Sequence, residues 1–431
     1  MDTNRIKNVA LGARAQLMAA TETALDRVLA ADSRERVARP TDVSRIEGAI
    51  ASRGSDGRDK VIEQVAYTWF NRLCALRYMD VRGYTPVGIV SPRAGETLPA
   101  ILADARRGIY APGLDIPTET QREVSDIIDG TTAVPDPLGH AYMLLLLAAC
   151  SMYARSMDYL FGAGRDLGPA IELLAPTDLL SEGSLLQRIC TGLDEATCNE
   201  GVEVMGWLYQ FYVSERKDAF FASKEKATAA DIAPATQLFT PNWIVRYLVE
   251  NSLGRLWMLN FPDSELKGHM DYYVEPEEPE GDFLKIYSPE DITFLDPACG
   301  SGHILVYAFD LLYLMYEEEG YRPTDIPELI IKNNLTGVEI DDRAAEIASF
   351  CLEMKALEKD SGFLVKDVDP SVVVTHPYRM SAQERQLAPE LSGNARLVEV
   401  IEHFNEVGSL YKPTSDDRAM IQATIETLST G

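Results

Sequence analysis

Apolar residues recur at three- and four-residue intervals through most of the first 222 positions. In residues 59–79 they are Val61, Val65, Trp69, Phe70, Leu73, Leu76 and Met79, which fall on one stripe of a helix with 3.6 residues per turn. Residues 142–157 and 202–212 repeat this character, and Pro- and Gly-bearing joints at 135–139 and 191–201 separate them. No period-two run competes, so residues 1–225 are expected to form a helical N-terminal domain without internal repeats.

The next segment, 226–260, holds Gln237-Leu238-Phe239-Thr240-Pro241 and then a stripe of Ile244, Val245, Leu248, Val249, Leu253 and Leu256. Thr240 suits a helix N-cap and Pro241 the first helical position. Residues 261–290 are rich in Asp, Glu and Pro, the composition of a solvated acidic connection without a core of its own. The pattern then changes. Ile292-Thr293-Phe294-Leu295 is a short apolar run that passes into Asp296-Pro297-Ala298-Cys299-Gly300-Ser301-Gly302 and an apolar helix at 304–316. A second such unit runs from Leu335-Thr336-Gly337-Val338-Glu339-Ile340-Asp341 into a helix at 343–357, and residues 372–375 offer a third strand. Strands alternating with helices predict a parallel sheet with crossover helices. The expected fold is therefore α/β: a helical N-terminal domain, then a partial Rossmann-like domain at 291–380, with a polar helical segment at 381–431.

At 431 residues the chain exceeds a single compact core, which predicts two or three domains. Its longest apolar stretch, 141–150, is broken by Ser151 and Arg155, well short of the roughly 20 residues of a membrane span. With no secretory or lipidation pattern, the expected location is the cytoplasm. Six cysteines are scattered without a CxxC pair or a neighbouring histidine, which indicates neither a disulfide framework nor a metal site. The net charge is −27, from 67 acidic and 40 basic residues. Such a surface repels phosphate at long range, so any basic track for DNA must be locally concentrated, or lie in a longer chain or a partner. The acidity also suits a saline or GC-rich source.

The loop at 296–302 carries the strongest chemical signal. Gly300 and Gly302 let backbone approach a ligand where strand passes into helix. A dinucleotide loop would read GxGxxG, yet an acid and a proline open this one and its third glycine is missing. Asp296 in that place favours a cationic amine over a pyrophosphate. Glu339 ends the second strand, where doubly wound folds place an acid on ribose hydroxyls. Each acid alone has a bland reading, a loop cap or a strand-end charge; their order and spacing together favour a nucleoside with a cationic tail.

These residues carry a resemblance. Asp-Pro-Ala-Cys-Gly-Ser-Gly-His, preceded by Gln-Leu-Phe-Thr-Pro and followed by Gly-Val-Glu-Ile-Asp, resembles the amino-group DNA methyltransferases, most closely the adenine-specific enzymes of BREX phage exclusion. Residues 65–73 and 203–212 resemble the helical N-terminal part of that family. The resemblance implies a class I methyltransferase domain that binds S-adenosyl-L-methionine. Asp296, Ala298, Gly300 and Gly302 match its methionine-holding loop, and Glu339 its ribose ligand. Thr240 and Pro241 match the motif that closes over the methionine carboxylate, while Ile340 and Asp341 would flank the adenine. It further implies double-stranded DNA as substrate and other BREX defence proteins as partners.

The family's catalytic Asn-Pro-Pro-Tyr motif, which holds a flipped adenine, is absent, and the sequence contains no Pro-Pro. Thr375-His376-Pro377-Tyr378 lacks both the amide and a proline. The chain is thus expected to be a cofactor-binding fragment that does not methylate by itself; the alternative is a non-catalytic scaffold subunit that docks partner proteins. A methyltransferase for RNA or protein is a weaker third reading, because fold does not fix substrate. His303 is expected to cap or pack. Trp69, Phe70, Trp207, Tyr209 and Phe211 are assigned to the core rather than to base stacking.

Overall fold

A computed structural model describes residues 2–162, 166–223, 240–277, 281–376, 378–403, 407 and 411–430. Gln237-Leu238-Phe239 and Pro377 of the motifs above lie outside the described residues. Helix α1 (Thr3–Leu29) is capped by the Asp2 carboxylate, which accepts from the amides of Asn4 and Arg5. The seven apolar residues of the 59–79 stripe are all buried in α2 (Gly57–Arg82). That helix ends where Gly83 turns into the left-handed region and the Tyr84 amide donates back to the Met79 carbonyl. Helices α3 (Pro137–Tyr153) and α4 (Glu203–Ser223) complete the main helical frame. Trp69, Phe70 and Tyr209 are buried, whereas Trp207 and Phe211 stack on each other half-buried at the core's edge.

The sheet has three parallel strands in the order β1 (Phe294–Asp296), β2 (Leu335–Glu339), β3 (Ser371–Val374). Asp296 lies opposite Gly337, and Glu339 opposite Val374, so the two acids end neighbouring strands on the same side of the sheet. β1 starts later than its apolar run suggests. Ile292 closes a tight turn over Pro289–Asp291, and the Asp291 carboxylate draws in the amides of Tyr287 and Ser288. The connections after β1 and β2 are α6 (His303–Glu318) and α7 (Asp342–Lys359). One contiguous apolar core runs from Ile6 to Val368 and includes residues of α1, α2, α4, α6 and α7. Each fully buried large side chain, such as Phe309 or Phe350, contributes about 1.5–3 kcal/mol to that core. The helical frame and the sheet layer are thereby packed on each other rather than strung on a linker.

Helix α5 (Asn242–Val249) continues through a π-helical turn at Glu250–Gly254 into Arg255–Asn260. Within 261–277 and 281–290 most residues are exposed, in keeping with the composition, while Leu266, Met270 and Ile286 are buried. Asn251 holds the Tyr272 carbonyl and the Val274 amide, and Asn260 the Leu284 carbonyl and the Ile286 amide. Side-chain amides thus replace the ladder hydrogen bonds that an irregular segment lacks. At the other end, Met380, Ala388, Leu391 and Leu397 form a small separate core. No helix among the described residues is long and apolar enough to cross a membrane.

Candidate functional site

The turn that leaves β1 is built by Asp296 itself. Its Oδ1 accepts from the Ala298 amide at 3.1 Å, while the Cys299 amide donates to the Val338 carbonyl of β2 at 3.0 Å. Gly300 and Gly302 then both adopt positive φ, 55° and 87°, a region that a side chain would strain. At Gly302 a Cβ would stand 3.0 Å from the Cα and Cβ of Ala348, so its absence lets α7 approach the loop. Apart from Gly300 itself and its two chain neighbours, no described atom lies within 4 Å of where a Gly300 Cβ would stand, so the loop faces open space there. Asp296 is only 7% exposed and its Oδ2 has no hydrogen-bond partner among the described residues. Burial raises its pKa above the usual carboxylate range, and the Ala298 amide opposes this. An orphaned buried carboxylate oxygen is costly, and an ammonium or guanidinium donor is the complement that would relieve it.

Glu339, equally buried, is placed differently. Its Oε2 accepts from the Gly300 amide at 2.7 Å, and its Oε1 accepts from the amides of Ile340 and Asp341 at 2.9 and 3.0 Å. A carboxylate offers about four acceptor positions, and these bonds occupy three. One further donor, such as a sugar hydroxyl, can be accepted without breaking any of them. The two acids therefore meet on one loop, Asp296 at Ala298 and Glu339 at Gly300.

Asp341 caps α7 by accepting from the Arg343 amide at 2.9 Å, and its carboxylate is paired with the Arg343 guanidinium through both oxygens at 3.1 Å. Burial disfavours the Asp341 charge, but Arg343 outweighs it and holds the pKa below the ordinary value. Sequence reading missed Arg343, which carries no motif of its own. It also missed the support beneath the Thr-Pro segment. Glu250, fully buried, accepts from Arg246 at 3.2 Å, from the Tyr307 hydroxyl at 2.7 Å and from the Tyr272 amide. This pins α5 against α6, and a buried glutamate in an apolar stripe was the available hint.

Thr240 and Pro241 precede α5, one residue further from the helix than expected. Pro241 holds extended backbone (φ −54°, ψ 139°), so the first helical residue is Asn242, whose side-chain amide donates to Glu203 of α4 at 2.9 Å. Proline fixes φ but leaves ψ free to stay extended. His303, the first residue of α6, is buried beside the Ser301 hydroxyl at 3.2 Å and packs against Gly206 of α4. Burial brings its pKa down to about 4, so it is neutral at ordinary pH. Burial likewise pushes the Cys299 thiol far above its usual range, which removes it as a nucleophile. At the end of β3 the Thr375 amide donates to the Glu339 carbonyl, His376 faces Asp342 at 3.2 Å and the Tyr378 hydroxyl donates to Glu384.

Residues 286–371, which contain both acids and the loop, match the family model described as MmeI, DNA-methyltransferase domain. The adenine-specific methyltransferase BrxX of Escherichia coli O9:H4 (strain HS) is 40% identical over 348 residues, which cover 79% of this chain and 28% of that protein. The adenine-specific methyltransferase PglX of Lacticaseibacillus casei (strain Zhang) is 34% identical over 400 residues, covering 85% of this chain and 32% of that protein. The chain is thus homologous to adenine-specific methyltransferases over most of its own length, and it spans about a third or less of theirs.

Proposed function

We propose that this chain is the cofactor-binding part of an S-adenosyl-L-methionine-dependent adenine N6 DNA methyltransferase of BREX phage defence, its sheet being the first half of a Rossmann-like domain. The observation that carries the reading is the orphaned Oδ2 of Asp296 on a bare glycine loop, beside a second acid with one acceptor position to spare. This pair of acceptors suits an amino acid joined to a nucleoside and repels a pyrophosphate. When bound, S-adenosyl-L-methionine supplies an electrophilic methyl group on its sulfonium. Asp296 takes the ammonium of the methionine moiety, with Ala298, Gly300 and Gly302 as its backbone bed. Glu339 takes a ribose hydroxyl, Ile340 gives apolar contact to the adenine, and Thr240 and Pro241 bring the free amides at the start of α5 to the carboxylate. We assign the holding of the target base and the grip on DNA to the part of such proteins that this chain does not span, in keeping with its net charge of −27.

Titration calorimetry tests this directly. The folded chain is expected to bind S-adenosylhomocysteine with micromolar affinity and to ignore NAD, whose pyrophosphate meets an acid at the loop. Equal binding of both, or of neither, rejects the reading.

A further inference from the structure

Both oxygens of the Asp341 carboxylate are drawn onto Arg343, in the two-pronged geometry that gives an arginine pair its directionality. Arg343 is in turn held by the helical frame. Its guanidinium lies 5.4 Å from the centre of the Tyr67 ring and reaches Glu63 at 3.5 Å, both on α2, while the Tyr67 hydroxyl donates to the Arg343 carbonyl at 3.3 Å. One turn further along α7, Asn71 of α2 reaches Glu346. At the other side of Asp341, its own amide and that of Ile340 donate to Glu339 Oε1. A continuous line of contacts therefore runs from α2 through Arg343 and Asp341 to Glu339.

From this line we propose that Arg343 is a positioning residue for the nucleoside end of the site: it acts through Asp341, and the helical frame anchors it. The proposal rests on the cofactor reading above and extends it to Arg343, which carries no motif of its own. Asp341 serves as a strut whose carboxylate faces Arg343, and the 339–341 backbone is what it sets in place. Without Arg343, Asp341 keeps the hydrogen bond of the Tyr209 hydroxyl but loses its cationic partner, and its carboxylate shifts away from α2. The peptide that feeds two amides to Glu339 turns with it.

A double-mutant cycle separates this role from a general packing role. Arg343→Met is expected to weaken S-adenosylhomocysteine binding about tenfold, with Arg343→Lys between it and the wild type. In an Asp341→Asn background the same Arg343→Met change should alter affinity less than about twofold, because the residue it acts through is already disabled. Amide hydrogen exchange of the ligand-free protein supplies an independent readout: exchange at Ile340 and Asp341 should quicken in Arg343→Met and stay unchanged in α1. Wild-type affinity in both Arg343 variants, or an undiminished loss in the Asp341→Asn background, overturns the proposal. If the wild type binds no S-adenosylhomocysteine, the cofactor reading fails by itself. Exchange then decides the positioning role, and unchanged protection at Ile340 and Asp341 overturns it.

Discussion

The ends of β1 and β2 each present a buried acid to the same loop, yet the two acids are in opposite states. Glu339 is largely satisfied by its surroundings: three backbone amides converge on it and leave one acceptor position open. Asp296 takes one amide and leaves its other oxygen without a donor among the described residues. Burial cost is met inside the fold at one strand end and left outstanding at the other. On the reading proposed above, the ligand's ammonium settles the cost at Asp296, whereas Glu339 both orders the loop and keeps one acceptor position for a hydroxyl. A third buried acid, Glu353 on α7, has neither amides nor a ligand-facing loop. Burial, opposed by the Tyr159 hydroxyl beside it and reinforced by Asp369, pushes its carboxyl up to about 9.

The contrast can be broken most severely at Glu339. Glu339→Ala orphans three amides at once and is expected to lower unfolding free energy by about 3 kcal/mol or more, as well as to abolish S-adenosylhomocysteine binding. Chemical denaturation showing wild-type stability would mean that the amides do not depend on this carboxylate. Asp296→Asn should show the reverse profile. Affinity falls roughly 10- to 100-fold, whereas the ligand-free fold is unchanged or firmer, since an unpaired buried charge has been removed. A drop in stability matching the loss of affinity would erase the difference between the two strand ends.

Glu353 calibrates what burial alone does. Its native pKa lies above the unfolded value of 4.5, at about 9. Its stabilising contribution is therefore complete below 4.5 and is lost progressively as pH rises towards 9. Replacement by Gln removes this dependence. Relative to Glu353→Gln, the wild type should lose at most ~1.4 kcal/mol per pH unit across that window, read from denaturation midpoints at successive pH values. A constant gap between the two proteins would show that Glu353 ionises as freely in the fold as out of it.

Much of this architecture is legible without coordinates. The stripe of α2, the strand, glycine loop and helix around Asp296, and the second unit ending in Glu339 all follow from local periodicity and from the few residues able to make a tight, positive-φ turn. The late start of β1 and the helical onset at Asn242 do not, because turn hydrogen bonds and a free ψ at proline decide them. Nor does composition report that Asn251 and Asn260 tie the acidic segment that follows them to their own helix.

From the chain of amino acids alone come the faces of the helices, the order of the strands' glycine loop and acids, and the expectation of which chemical class of group those acids attract. Which acid is satisfied and which is left wanting, and that Arg343 ties α2 to Asp341, belong to the packed molecule. The reason is distance along the chain. Periodicity reports on neighbours a turn apart, whereas a carboxylate's state is set by whichever donors folding brings to it. Glu339 meets Gly300 across 39 residues, and Tyr67 meets Arg343 across 276.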